Sequence, residues 1–222
     1  MRVIPLFPLP LVLFPKAVQP LHIFEPRYRQ MLADCLASDG QFGIIFRKPE
    51  SSEDDIAPGT VGCMARVEST QPLADGRSNI MVIGDQRFSF TAFAERGTPY
   101  HAASIEDVLD EPEDPVALDP LMASVREVFE RAGRAARTMQ DDATALPELP
   151  DNAAELSFAV AQYVDLPLDL RQRLLSSRSP RQRLELLLHT LSPMIAQLEV
   201  GARVHERART NGHGHGHLAG ES

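Results

Sequence analysis

Lysine is nearly missing from this chain. Among 222 residues it occurs only as Lys16 and Lys48. No glycine–lysine pair exists, so there is no Walker A phosphate loop. A serine–lysine peptidase dyad would have to use one of these two lysines. Lys16 falls in a proline-rich turn and Lys48 at the end of a strand, and neither has a nucleophilic serine in a recognisable setting. The G-x-S-x-G elbow of serine hydrolases is missing. So is the H-E-x-x-H zinc helix, because Arg209 stands where His205-Glu206 would need a second histidine. Cysteine is limited to Cys35 and Cys63, too few for a disulfide framework, and both read as reduced core thiols. No apolar run approaches the roughly 18 residues of a membrane span, and prolines interrupt the apolar start where a signal peptide would need continuity. A formal net charge of −9 argues against a nucleic-acid partner, whose phosphates are neutralised by lysine and arginine. These absences point to a non-enzymatic, cytoplasmic protein with no cofactor.

Proline and apolar residues dominate the start. Five prolines stand among Leu, Ile, Val and Phe between Pro5 and Pro20. Proline fixes φ and lacks a backbone donor, so this region reads as short strands joined by tight turns. Strands are expected at Val3 to Phe7 and Val18 to Phe24. Glu25-Pro26 opens a helix, in which Tyr28, Met31, Leu32, Cys35 and Leu36 recur at helical spacing before a Gly40 cap. Phe42 to Phe46 reads as a strand, followed by an acidic loop at Glu50 to Asp55. Val61 to Gln71 and Asn79 to Ala92 read as long strands joined at Asp75-Gly76, a pair that tolerates positive φ. Gly62 and Gly84 suggest bulges. The last strand runs from Tyr100 to Val108.

Beyond it the pattern changes. Asp110 to Pro115 reads as a solvated acidic linker, and Asp119-Pro120 as a helix cap followed by an N1 proline. Helices are expected at Asn152 to Val164, at Leu168 to Leu175 and after Ser179-Pro180. In the last, Leu184, Leu187, Leu188, Leu191, Ile195, Leu198 and Ala202 form one stripe, which Pro193 should kink. Arg171, Arg173, Arg178, Arg181 and Arg183 read as a solvated basic face. His22 reads as a core or rim histidine rather than a ligand. His213, His215 and His217 alternate with glycine in a tail expected to be disordered, where they would chelate metal adventitiously.

Several of these segments, in their order and spacing, carry a family resemblance. They are Ile4-Pro5-Leu6-Phe7-Pro8-Leu9, Leu13-Phe14-Pro15, Glu25-Pro26-Arg27-Tyr28-Arg29, Val61 to Val67, Asp75-Gly76-Arg77 and Val82 to Phe88. Leu166-Pro167-Leu168 and Arg183 to Leu187 continue the pattern. The chain resembles the substrate-binding domain at the front of Lon-type ATP-dependent proteases, without the ATPase and peptidase domains. The resemblance implies an α+β fold: a PUA-like pseudo β-barrel with one helix over 1–112, a helical bundle over 115–208, then the Gly/His tail over 209–222. It also implies binding of unfolded or hydrophobic polypeptide segments, as an adaptor or holdase, with a Lon-type protease as a further partner. Arg27, Tyr28 and Met31 fall in the matching helix start and are the expected substrate-binding residues, forming the apolar rim of a groove. The alternative is a small-molecule site or an enzyme pocket between barrel and bundle.

Overall fold

The computed structural model describes residues 2–212, with side chains described over 2–208. Six strands and five helices follow one another as β1 (Arg2–Leu9), β2 (Val18–Ile23), α1 (Pro26–Leu36), β3 (Gln41–Phe46), β4 (Val61–Pro72), β5 (Ser78–Phe93), β6 (Ala102–Asp107), α2 (Pro115–Gln140), α3 (Ala153–Tyr163), α4 (Leu168–Ser176) and α5 (Pro180–Gly212). The fold is α+β, strands first and helices after. Strand pairing in the order β1-β3-β4-β5-β6 returns to β1 and closes a barrel. Among the described residues only β1 and β3 pair in parallel. Parallel neighbours need a crossover, and the segment holding β2 and α1 supplies it. That requirement lays α1 against β1 and β3. On the edge away from β4, strand β5 is long enough to serve two partners: its first half pairs with β2 and its second half with β6.

Two apolar cores result. The barrel interior holds Ile4, Leu6, Ile45, Met64, Phe88, Phe90, Ala103 and Ile105, and Ile56 from the β3–β4 loop joins them. Gly43 and Gly62 are there to admit the Phe88 ring, which any β-carbon at either position would strike. Of the bulges expected at Gly62 and Gly84, Gly62 pairs regularly with Phe88, while the register shifts beside Gly84, between Cys63 and Ala65, and again between Val67 and Ser69. The larger core runs without a break from the barrel's outer face to the helices. It includes Phe14, Cys63 and Val82 on one side and Phe158, Leu174, Leu184 and Leu187 on the other.

Three sequence expectations need correction. Helix α2 starts at Pro115, not after Asp119. Asp114 is its N-cap, accepting from the Val116 amide, and Pro120 lies inside the helix. Both Asp-Pro pairs carry the same signal. The earlier one prevails because the extra turn buries Leu118, and Pro120 in the second turn forfeits only one backbone hydrogen bond. Helix α5 runs through Pro193 to Gly212, beyond the limit expected for the bundle. The remaining tail, with its three histidines and its expected disorder, lies outside the described residues.

The third correction concerns charge. Arg183 is fully buried, and Arg87 nearly so. Both bind Asp110. Arg183 donates to its two carboxylate oxygens at 2.6 and 2.7 Å, and Arg87 donates to one of them at 2.5 Å. The two guanidiniums lie 4.2 and 5.3 Å from the Phe158 ring centre. Their other N–H groups reach the Ser157 hydroxyl and the Leu175 and Ser177 carbonyls. Burial pushes the Arg87 pKa down, and Asp110 opposes that shift. Glu113 accepts from the Ser179 hydroxyl at 2.6 Å. The expected acidic linker is therefore a strap between β6 and α2, and the expected basic face includes the group that grips it. Replacing Asp110 by Ala should cost roughly 3–5 kcal/mol, because two buried cations lose their carboxylate. Arg183→Met should cost less, since Arg87 and Asp110 remain paired. Urea unfolding midpoints should rank the two variants in that order.

Candidate functional site

Helix α1 was expected to expose a rim made of Arg27, Tyr28 and Met31. Its two apolar members face the other way. Tyr28 is 2% exposed and Met31 0%. The Tyr28 ring lies 4.0 Å from Phe7, and Phe42 packs behind. An eleven-residue helix has one apolar stripe, and this one is consumed covering the barrel. Arg27 is half-buried and already engaged. It donates to Glu53 through two nitrogens at 2.7 and 2.8 Å and to Glu25 at 2.9 Å, with its guanidinium 4.5 Å from the Tyr28 ring centre. The Tyr28 hydroxyl donates to Glu53 at 2.9 Å, and His101 Nε2 stands 3.1 Å from the same oxygen.

Glu53 thus clamps the β3–β4 loop onto α1 and the approach to β6. Burial acts to raise its carboxyl pKa, but the hydrogen bonds from Arg27 and Tyr28 outweigh that and hold it below the usual carboxylate range. Burial, then Glu53, pushes the Tyr28 phenol up. No sequence pattern marked Glu53. It stood in a run of acids that reads as solvated loop, and only the fold brings it to Arg27.

The outer side of α1 is open. Pro26, Arg29, Ala33 and Leu36 form one wall of a cleft of about 510 Å³, and Thr70, Pro72, Gly76 and Ser78 of the β4–β5 hairpin form the other. Leu36 is 51% exposed, and Phe24, just before the helix, is 57% exposed. The Arg29 guanidinium rests against Gly76, where φ is +79° and a β-carbon would collide with it. Glycine at 76 is needed both for the turn and for this approach. Among the described residues Arg29 forms no ion pair. His22 lies at the same end, exposed, stacked 5.9 Å from Phe24 and 2.7 Å from the Asn79 side-chain oxygen.

Between barrel and bundle, Leu11, Val12, Gln19, Leu166, Leu168 and Arg171 line a second cleft of about 560 Å³, open to solvent rather than deep. Lys16 occupies a turn at φ +66°, its amide bound to the Gly84 carbonyl. Cys35 and Cys63 are buried, free thiols whose pKa burial pushes up to about 12. Among the described residues no three His, Cys, Asp or Glu side chains are placed to hold a metal. No helix among them is long and apolar enough to cross a membrane.

Two outcomes follow for α1. Met31→Asp should cost more than about 3 kcal/mol, because it buries a carboxylate without a partner. Glu53 has a lowered pKa in the folded state, so its stabilisation is present above the unfolded value of about 4.3 and is lost as pH falls through the folded one. Glu53→Gln should therefore cost about 1–2 kcal/mol at pH 7. Thermal melts of parent and variant should converge toward pH 3.

Residues 3–192 match the family model described as the ATP-dependent protease La (LON) substrate-binding domain. The chain is 27% identical to the Lon protease of Brucella suis over 202 residues, which is 90% of this chain and 25% of that protein. It is 28% identical to Lon protease 2 of Herpetosiphon aurantiacus over 85% of this chain and 23% of that protein. The chain thus spans about a quarter of the length of these relatives. Among solved structures, the Lon N-terminal domain protein from Xanthomonas campestris aligns over 85% of this chain and 98% of its own, with a TM-score of 0.59 and 25% identity. The N-terminal domain of Mycobacterium avium complex Lon protease aligns over 86% and 98%, with a TM-score of 0.62 at 18% identity, a likeness of fold. With the match running from the first strand into the last helix, the chain belongs to the Lon substrate-binding domain family.

Proposed function

We propose that this protein is a non-catalytic, cytoplasmic polypeptide-binding module that takes exposed apolar segments of unfolded proteins, as an adaptor or holdase, with a Lon-type protease as a further partner. The observation that carries the reading is the cleft between α1 and the β4–β5 hairpin. It sets half-exposed Leu36 and two prolines beside one guanidinium that forms no ion pair. Apolar groups bounded by charge suit an extended segment, whose side chains lose water while its carbonyls meet a donor. Arg27, Tyr28 and Met31 serve this site from behind, by fixing α1 against the barrel.

Burying one apolar side chain contributes about 1.5–3 kcal/mol before ordering costs. Binding through a few such contacts is therefore weak, on the order of micromolar. Leu36→Glu and Arg29→Glu should each weaken binding of fluorescein-labelled unfolded casein by about five- to tenfold in fluorescence anisotropy. Their melting temperatures should stay within a degree or two of the parent, since both side chains are exposed. Unchanged affinity in both variants would remove the cleft from the binding site. Purified chain should turn over neither ATP nor casein. Turnover that changes on substituting Lys16 or Lys48 would overturn the non-catalytic reading.

A further inference from the structure

The second cleft has a different chemistry. Its base is Arg171, on the first turns of α4. The guanidinium lies 4.9 Å from the Phe14 ring centre and donates to the Ala161 carbonyl at 3.2 Å and the Val12 carbonyl at 3.4 Å. Both acceptors are neutral and both contacts are long. Among the described residues Arg171 forms no ion pair. Burial pushes its pKa down, opposed only by the field of Asp165. Arg87 and Arg183 are more deeply buried, yet both have a carboxylate. Arg171 is a half-buried cation held in place with donors to spare, an arrangement that favours an anion.

The surroundings narrow the anion. Leu11, Val12, Leu166 and Leu168 set apolar wall beside the polar Gln19, Asp165 and Arg171, so the charged group should end a partly apolar body. Asp165 lies on the rim, exposed, and would repel a simple anion. A polypeptide C-terminus satisfies both residues: its carboxylate faces Arg171, and its last backbone N–H, a few ångströms away, faces Asp165. A fatty acid offers the carboxylate but no donor for Asp165. We infer that the barrel–bundle cleft receives the C-terminal carboxylate of an apolar polypeptide tail, with Arg171 as its anion contact. The inference rests on the polypeptide-binding reading above but uses a separate surface, so one client could engage both.

The test uses the full chain and two fluorescein-labelled octapeptides ending in Leu-Leu, one with a free C-terminal carboxylate and one amidated. Anisotropy titrations should show the free acid binding about tenfold tighter than the amide, a gap that narrows with added salt. Arg171→Met should bring the acid to the amide's level and leave the amide unchanged. Arg171→Lys should retain part of the preference, as charge without the planar fork. Leu168→Glu, at a partly exposed position, provides a second variant should Arg171→Met fail to fold, and it too should abolish the preference. Octanoate should compete more weakly than the free-acid peptide. Equal binding of acid and amide, or an undiminished preference in folded Arg171→Met or in Leu168→Glu, would overturn the inference, and so would octanoate binding more tightly than the peptide. Leu36→Glu separates the two readings. It should weaken the amidated peptide, which lacks the Arg171 contact, if the α1 cleft binds polypeptide, whatever the result at Arg171.

Discussion

One carboxylate holds the two halves of this molecule in register. Asp110 leaves the barrel just after β6 and meets Arg87 from β5 and Arg183 from α5, with Phe158 of α3 beneath both guanidiniums. Hydrogen bonds to carbonyls around Leu175 and Ser177 add the end of α4 to the same point. Such a knot costs more to bury than an apolar contact of equal size, and its value lies in geometry. Apolar surfaces tolerate sliding; two guanidiniums that share one carboxylate do not. The cleft between barrel and bundle keeps its shape only while the two keep this register.

Glu53 repeats the device on a smaller scale. A loop carboxylate gathers Arg27, Tyr28 and His101 and draws the β3–β4 loop across the barrel. Ile56, three residues on, can then join the barrel interior. In both knots the acid comes from an irregular segment and the cations from regular elements. Strands and helices present side chains in fixed directions, and the loop adapts to them.

This arrangement explains what was legible beforehand and what was not. Periodicity revealed the elements because it is local: Tyr28, Met31, Leu32 and Cys35 marked α1, and Asp75-Gly76 marked the hairpin. The side of α1 that faces inward was not local information. Tyr28 and Met31 looked suited to an apolar rim because an apolar stripe is the same pattern whether it meets a barrel or a client. The parallel pairing of β1 with β3 decides between these, and it joins residues far apart in the chain. Arg183 and Asp110 were misread for the same reason. Each stood among like charges, and a charge run reads as solvated until its partner, 73 residues away, is placed beside it. The candidate cleft was half legible: Gly76 was assigned to a turn, but nothing local showed that Arg29 would rest on it.

The net charge of −9 remains a property of the surface once the cations are located. Arginine is the main basic residue, and several arginines are spent inside. Arg87 and Arg183 are buried at the knot, and Arg27 is taken by Glu53 and Glu25. Three carboxylates, Asp110, Glu53 and Glu25, match these three arginines, so the two knots are neutral together and the surface keeps the negative charge of the composition. Against that background a cation without a carboxylate is conspicuous. Arg29 and Arg171 are two, and each stands in a cleft beside apolar side chains. An acidic surface repels acidic chains at long range, while two local cations accept carbonyl or carboxylate oxygen at contact. On the proposed function, that combination disfavours highly acidic chains and suits apolar, weakly charged segments.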